Sequence, residues 1–334
     1  MDARVSATDR KRQHRAQRQT SANINVTKNL YFCIGNRNEM KREATRINLD
    51  DWVLFGGGGI GLSYYHKEDD SIVLKMNKAS MPVEHTIREF ERSKSLYDMG
   101  LNCPKVVDFV FDGQRYGIIA ERIKSKKSFA RIISEDPSQL EPLARDFARN
   151  VKLLHAVRCD NGLFPSYRDD YLKALSECTV LSSKEKDILR EALASMNDEG
   201  YCIHGDLTPG NIIRADGKDY WIDLGEVSYG DPDIDFGFMM FISKHIPKNL
   251  VKKLYHITSS QFCKFTEIFA QEYFGERWGT PELDAKLHNI LLIKAGNSIL
   301  KRPKAALIYR PLISGNHFKY SILLALMNLL VRKV

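Results

Sequence analysis

Tyr201 to Gly237 reads YCIHGDLTPGNIIRADGKDYWIDLGEVSYGDPDIDFG. His204, Asp206, Asn211 and Asp223 all fall within this stretch, on either side of Asp216-Gly217, a dipeptide that predicts the tip of a hairpin. Two carboxylates, a side-chain amide and an imidazole gathered so closely outline a site for a metal ion and a proton. The same residues also have a plain structural meaning. Asp, Asn, Gly and Pro are turn formers, and Leu207-Thr208-Pro209-Gly210-Asn211 taken alone reads as a turn. The upstream sequence bears on the choice.

Phosphoryl transfer asks a protein chiefly to position reactants and neutralise charge. A carboxylate receives the proton of the acceptor hydroxyl, while an amide oxygen and a second carboxylate, both hard donors, hold Mg2+ against the nucleotide phosphates. Asp206, Asn211 and Asp223 offer those three groups. Their spacing, D-x-x-x-x-N and then a carboxylate closing the next strand, is similar to the protein-kinase catalytic loop H-R-D-x-x-x-x-N and D-F-G, with Gly205 in place of the arginine. The variant HGDLTPGN followed by IDLGE resembles the aminoglycoside phosphotransferase and choline kinase group of small-molecule kinases. The resemblance extends from about Asp51 to Gly237. It implies Asp206 as catalytic base and Asn211 and Asp223 as metal ligands.

Asp51 opens a run of short β-prone segments. Trp52 to Phe55, Leu62 to His66 and Ser71 to Met76 read as strands, with Gly56 to Gly61 as a glycine-rich turn. Gly56, Gly58 and Gly61 fit G-x-G-x-x-G. A dinucleotide-binding unit would open a helix directly after the glycines, whereas Tyr64 and Tyr65 favour another strand. A Walker loop ends in G-K-[ST], and Gly61-Leu62-Ser63 has no lysine. Two readings remain: a glycine hairpin without a ligand, and a kinase-type loop whose missing side chains let backbone amides approach phosphate oxygens.

Val73-Leu74-Lys75 is similar to the V-A-I-K strand that carries the nucleotide-binding lysine of kinases, although a strand-end lysine is otherwise a snorkelling surface residue. Ser80 and Pro82 predict the start of a helix running to Met99, with Glu84, Glu89 and Glu91 on it. In the resembling family a glutamate precedes a glycine-leucine-x-x-proline exit by about this interval, and Gly100-Leu101-Asn102-Cys103-Pro104 supplies such an exit. Glu89 would then pair with Lys75 and hold it toward the phosphates. Val106 to Asp112 and Gln114 to Arg122 read as two further strands joined at Asp112-Gly113. The kinase resemblance puts the adenine-contacting hinge at Glu121 to Ile123. Backbone recognition leaves no side-chain signature, so the sequence does not separate ATP from GTP.

Helical periodicity then takes over. Leu140, Leu143, Phe147, Val151 and Leu154 recur at helix spacing between Ser138 and Val157, and Ser182-x-x-Glu185 is a capping box. Gly230-Asp231-Pro232 and Asp235 match the resembling family's G-D-P-x-x-D, which implies that Asp235 begins a helix and braces the loop as a structural carboxylate. Only about a dozen residues separate Asp223 from Asp235, and no A-P-E element follows. That leaves no room for a peptide-docking activation segment and favours a small acceptor. From Phe238 onward fifteen Lys plus Arg stand against five Asp plus Glu, a balance that opposes capture of a polycation and favours a neutral or anionic acceptor.

With 334 residues, 43% of them hydrophobic, the chain can bury one large core or two. The six cysteines are far apart and contain no C-x-x-C pair, so neither a zinc site nor a disulfide framework is expected. The net charge of +8 is partly concentrated before residue 30, where Arg4, Arg10, Lys11, Arg12, Arg15, Arg18 and Lys28 meet only Asp2 and Asp9. Residues 1–40 read as a basic disordered tail, with Met40 an alternative start and contact with nucleic acid or an anionic membrane a lesser possibility. The longest apolar run, Ile322 to Val331, is too short to cross a bilayer, and no charged region leads into a hydrophobic one at the start, so a cytoplasmic protein is expected.

These readings combine into an expectation. The fold is α+β and two-lobed like a protein kinase: residues 41–123 form an N-lobe with a small antiparallel sheet plus one helix, and residues 124–334 form a mainly helical C-lobe with the acceptor pocket. The activity is transfer of the γ-phosphoryl group of Mg-bound ATP to a hydroxyl of a small molecule such as a sugar, an amino alcohol or an antibiotic-like acceptor. Two alternatives stay open, a nucleotide-binding pseudokinase-type scaffold and an atypical protein kinase.

Overall fold

The computed structural model describes residues 43–57 and 61–331, with side chains to residue 328. The basic segment 1–40, Cys33 and Gly58 lie outside the described residues.

A six-stranded sheet comes first. Its strands are Thr45–Arg46 (β1), Trp52–Gly57 (β2), Gly61–His66 (β3), Ile72–Asn77 (β4), Val106–Phe111 (β5) and Tyr116–Glu121 (β6), in the spatial order β1-β5-β6-β4-β3-β2. All neighbouring pairs are antiparallel except β1 with β5, which adds one short parallel strand at the edge and makes the sheet mixed. The helix Val83–Asp98 (α1) lies between β4 and β5 in sequence and is entered through Pro82.

The period of two along β4 decides where Lys75 goes. Leu74 and Met76 are fully buried on one face with Trp52, Tyr64, Val110 and Ile119. Lys75 pairs in register with Ile118, which in turn faces Phe109, and Phe109 packs against Phe90 of α1 with ring centroids 6.1 Å apart. Lys75 therefore shares the face of the sheet that α1 covers.

The rest is mainly helical. It contains the short strand Lys127–Ser128 (β7), the helices Phe129–Glu135 (α2), Leu140–His155 (α3), Tyr167–Glu177 (α4) and Ser183–Ala194 (α5), and the strands Tyr201–Ile203 (β8), Ile212–Ala215 (β9), Lys218–Trp221 (β10) and Ser228–Gly230 (β11). The helices Asp233–His245 (α6), Lys248–Tyr255 (α7), Ser259–Phe274 (α8), Pro281–Lys301 (α9), Ala306–Ile313 (α10) and His317–Val331 (α11) complete it. The apolar stripe expected on α3 is buried at every position, Leu140, Leu143, Phe147, Val151 and Leu154, and Phe147 meets Phe265 and Phe269 of α8 edge-on. The capping box at Ser182 and Glu185 forms in both directions.

β9 and β10 form the hairpin turning at Asp216 and Gly217, both with positive φ, as a two-residue turn of the primed type requires. Arg214 on β9 pairs with Asp219 (2.6 Å) and with Asp146 of α3 (2.7 Å), fastening the hairpin to the helix. Among the described residues the cysteines are free thiols, with Cys103, Cys159 and Cys202 buried, and no helix is long and apolar enough to cross a membrane.

α6 and α9 approach closely because Gly237 has no side chain: a Cβ there would overlap Ile290 Cγ2. Helix propensity alone favours Gly237→Ala by roughly 0.5–1 kcal/mol. Overpacking is expected to dominate and to cost about 1–3 kcal/mol, read as a lower urea midpoint at unchanged slope. A raised midpoint would show that α9 gives way without penalty.

Candidate active site

The loop after β8 is suspended from one buried carboxylate. Asp235, in the first turn of α6, is fully buried and accepts hydrogen bonds from His204 N (2.6 Å) and Gly205 N (2.9 Å). His155 Nε2, at the end of α3, lies 3.1 Å away, and its Nδ1 is 2.7 Å from the Tyr273 hydroxyl of α8. Burial works against the charge on Asp235, but the hydrogen bond and charge of His155 outweigh it and hold the carboxyl below its ordinary range.

Gly205 stands where the kinase motif carries arginine, and the geometry explains the difference. Its φ is +83°, and a Cβ would lie 2.5 Å from Glu226 O. An arginine would be strained and would collide. His204 is fully buried against Trp221, and its Nδ1 accepts from Asp206 N at 3.3 Å, a supporting role consistent with an imidazole set behind the loop.

Asn211 closes the same loop. Its Nδ2 donates to Asp206 O (2.7 Å), its backbone N–H to Thr208 O (3.0 Å), and its carbonyl accepts from Ile222 N (3.0 Å). With the amide nitrogen engaged, Oδ1 is the atom left to face a ligand. One residue after Ile222, Asp223 adopts a left-handed conformation (φ 57°, ψ 51°), and its Oδ1 lies 2.8 Å from Lys75 Nζ. Lys75 Nζ is also 2.5 Å from Glu89 Oε1. Burial disfavours the ammonium, yet Glu89 and Asp223 together raise its pKa above the usual lysine value. A second tie joins the same parts, Arg92 Nη1 donating to Gly225 O at 2.5 Å.

The structure thus brings together Lys75, Glu89 and Asp223, and beside them Asp206 and Asn211. Asp206 feels the charge of Asp223: burial raises the Asp206 pKa and Asp223 adds to the rise, whereas Asp223, despite its burial, is lowered by Lys75. Among the described residues no hydrogen bond or ion pair joins Gly56, Gly61, Glu121 or Ile123 to this group. Gly61 is required by the close approach of β3 to β4, because a Cβ would press on Met76 O. Glu121 donates its N–H to Lys105 O (2.8 Å) and accepts from Lys105 N through its carboxylate (3.2 Å), and Ile123 is buried with Ile213 and Ala215.

Lys126, within reach of the Asp223 charge and with its own pKa lowered by desolvation, was not singled out by sequence reasoning. The run Lys124-Ser125-Lys126-Lys127 was the available signal, but nothing in it distinguishes one lysine from the next.

Among the described residues no three His, Cys, Asp or Glu side chains converge to hold an ion alone. One amide oxygen and one carboxylate make a hard donor pair suited to Mg2+ that completes its shell with phosphate oxygens and water. The residues present fit a metal–nucleotide.

Asp235→Asn places an amide N–H against backbone donors and is expected to cost about 1–3 kcal/mol in chemical denaturation. Because the folded-state pKa of Asp235 is depressed, its contribution is present at neutral pH and lost as pH falls through that value. The variant should therefore show a shallower loss of stability in acid than the parent. Equal stability at neutral pH would contradict the bracing role.

Residues 51–278 match the Phosphotransferase enzyme family (APH). No curated protein matches the sequence. Among solved structures, a thermostable mutant of aminoglycoside phosphotransferase APH(4)-Ia in ternary complex with ADP and hygromycin B superposes with a TM-score of 0.53 at 14% identity, covering 84% of this chain and 93% of that one. The complex of the same enzyme with AMP-PNP and hygromycin B gives 0.54 at 15% identity, again over 84% and 93%. The streptomycin–ATP–APH(2")-IIa ternary complex gives 0.51 at 18% identity over 79% and 90%. At these identities the superpositions establish a shared kinase-like fold, and the family match extends over most of the chain. The chain belongs to the phosphotransferase enzyme family.

Proposed function

We propose that the protein transfers the γ-phosphoryl group of Mg-ATP to a hydroxyl of a small molecule, with Asp206 as the base. The observation that carries this reading is the Lys75 ammonium held between Glu89 and Asp223 beside the loop of Asp206 and Asn211. The Mg-bound nucleotide, when present, supplies the phosphoryl donor and neutralises charge on it.

The chain does the rest. Lys75, aimed by Glu89, meets the α and β phosphates, and Asn211 Oδ1 with the Asp223 carboxylate holds the metal. Gly56 of β2, Gly61 of β3 and Gly58 between them in the sequence let backbone amides approach phosphate oxygens. The backbone at Glu121 and Ile123 receives adenine. Asp206 orients the acceptor hydroxyl and takes its proton as the new O–P bond forms, and a carboxylate whose pKa is raised by burial is a better proton acceptor than a free one. Bound ADP, AMP-PNP and ATP in the superposing structures support the choice of an adenine nucleotide. The short segment between Asp223 and Asp235, which includes strand β11 paired with β8, supports a small acceptor over a peptide. Action on a soluble metabolite suits a cytoplasmic location.

Asp206→Asn is expected to lower turnover by roughly 10²–10⁴ while Mg-ATP still binds. Normal turnover of an authentic acceptor by this variant would remove the base assignment. Asp223→Ala is expected to abolish the rise in melting temperature that Mg-ATP gives the parent, and an unchanged rise would place the metal elsewhere.

A further inference from the structure

Lys294, on α9, is a buried cation that no described residue meets with a direct ion pair. The residue is 3% exposed, and among the described residues its Nζ makes neither a hydrogen bond nor an ion pair. It lies instead over two aromatic faces, 5.4 Å from the centroid of Tyr167 and 5.6 Å from that of Phe238. The Tyr167 hydroxyl is itself buried without a partner. Buried charges and hydroxyls are ordinarily satisfied, so an ammonium over the face of the Tyr167 ring and the hydroxyl of that same ring are two donors, each without a hydrogen-bond acceptor among the described residues.

Three carboxylates act on Lys294 at a distance, none through a direct hydrogen bond or ion pair among the described residues. Asp235 is within electrostatic reach, but its oxygens are taken by His204 N, Gly205 N and His155. Asp206 and Glu226 also reach Lys294, and Glu226 is engaged by Lys301 at 2.9 Å. Burial pushes the Lys294 pKa down to about 8, so the ammonium is still largely present at neutral pH.

We propose that Lys294 and the Tyr167 hydroxyl form the anchor for an oxyanion on the acceptor, so that the molecule phosphorylated carries a carboxylate or phosphate group besides the hydroxyl presented to Asp206. The proposal rests on Asp206 being the base. A cationic acceptor would set a second positive charge beside Lys294, with Lys301 and Arg302 following at the end of the same helix. The excess of Lys and Arg after Phe238 acts in the same direction.

The test uses the full chain saturated with Mg-AMP-PNP, which fills the phosphate positions of the nucleotide, and titrates sulfate, acetate or the dication putrescine against chloride at matched ionic strength while melting temperature is followed. Sulfate or acetate is expected to give a saturable rise in the parent, sulfate alone marking a phosphate-bearing acceptor and acetate alone a carboxylate. Lys294→Met and Lys294→Gln should weaken that response at least about tenfold, whereas Lys294→Arg should retain it. The Mg-AMP-PNP shift in each variant reports that its nucleotide site is folded. The anchor is overturned by no oxyanion response, by an equal response in Lys294→Met, or by a response to putrescine alone. Absence of the Mg-AMP-PNP shift in the parent would instead remove the phosphotransfer reading, so the two failures are distinct.

Discussion

One ammonium, that of Lys75, is shared between two carboxylates that reach it from different parts of the fold. Glu89 comes from the helix packed on the sheet, and Asp223 from the end of the hairpin in the helical part. Neither carboxylate could be brought so close to the other without the cation between them. The alternation of β4 sends Lys75 to the α1 face of the sheet, and the left-handed turn at Asp223 points its carboxylate back toward that face. Arg92 on Gly225 adds a bond beside the triad. The relation of the sheet, α1 and the loop of Asp206 is therefore set by one shared charge with a second hydrogen bond beside it.

The loop has a separate support that contains no ligand-facing group. Asp235 gathers two backbone N–H donors and an imidazole in a fully buried setting, where a carboxylate is costly unless every oxygen is satisfied. The left-handed Gly205 lets the chain turn over that carboxylate and continue into Asp206. The shape of the loop is thereby set from behind, and its front is left for chemistry.

Much of this was legible where the signal is local. The spacing of Asp206 and Asn211 in one loop, the hairpin at Asp216-Gly217, the stripe on α3 and the capping box at Ser182 each depend on residues a few positions apart. The pairing of Lys75 with Glu89 was reached through the family's exit motif, since no local pattern distinguishes Glu89 from Glu84. β1 and β7, two residues each, are too short for any period to announce them. Lys126 and Lys294 owe their positions to tertiary packing, and in the sequence each looks like one more surface lysine. Gly205 read only as a departure from a motif until the nearness of Glu226 O gave it a reason.

The path from Asp223 to Asp235 has one further consequence. It is stitched into β11 against β8, tied at Tyr229 N to Pro165 O, and fixed at both ends by carboxylates with structural partners. Such a stretch has no slack with which to swing between an open and a shut position. The shape of this stretch is thus held by strand pairing and by the carboxylates at its two ends, each of which ties it to a different part of the fold.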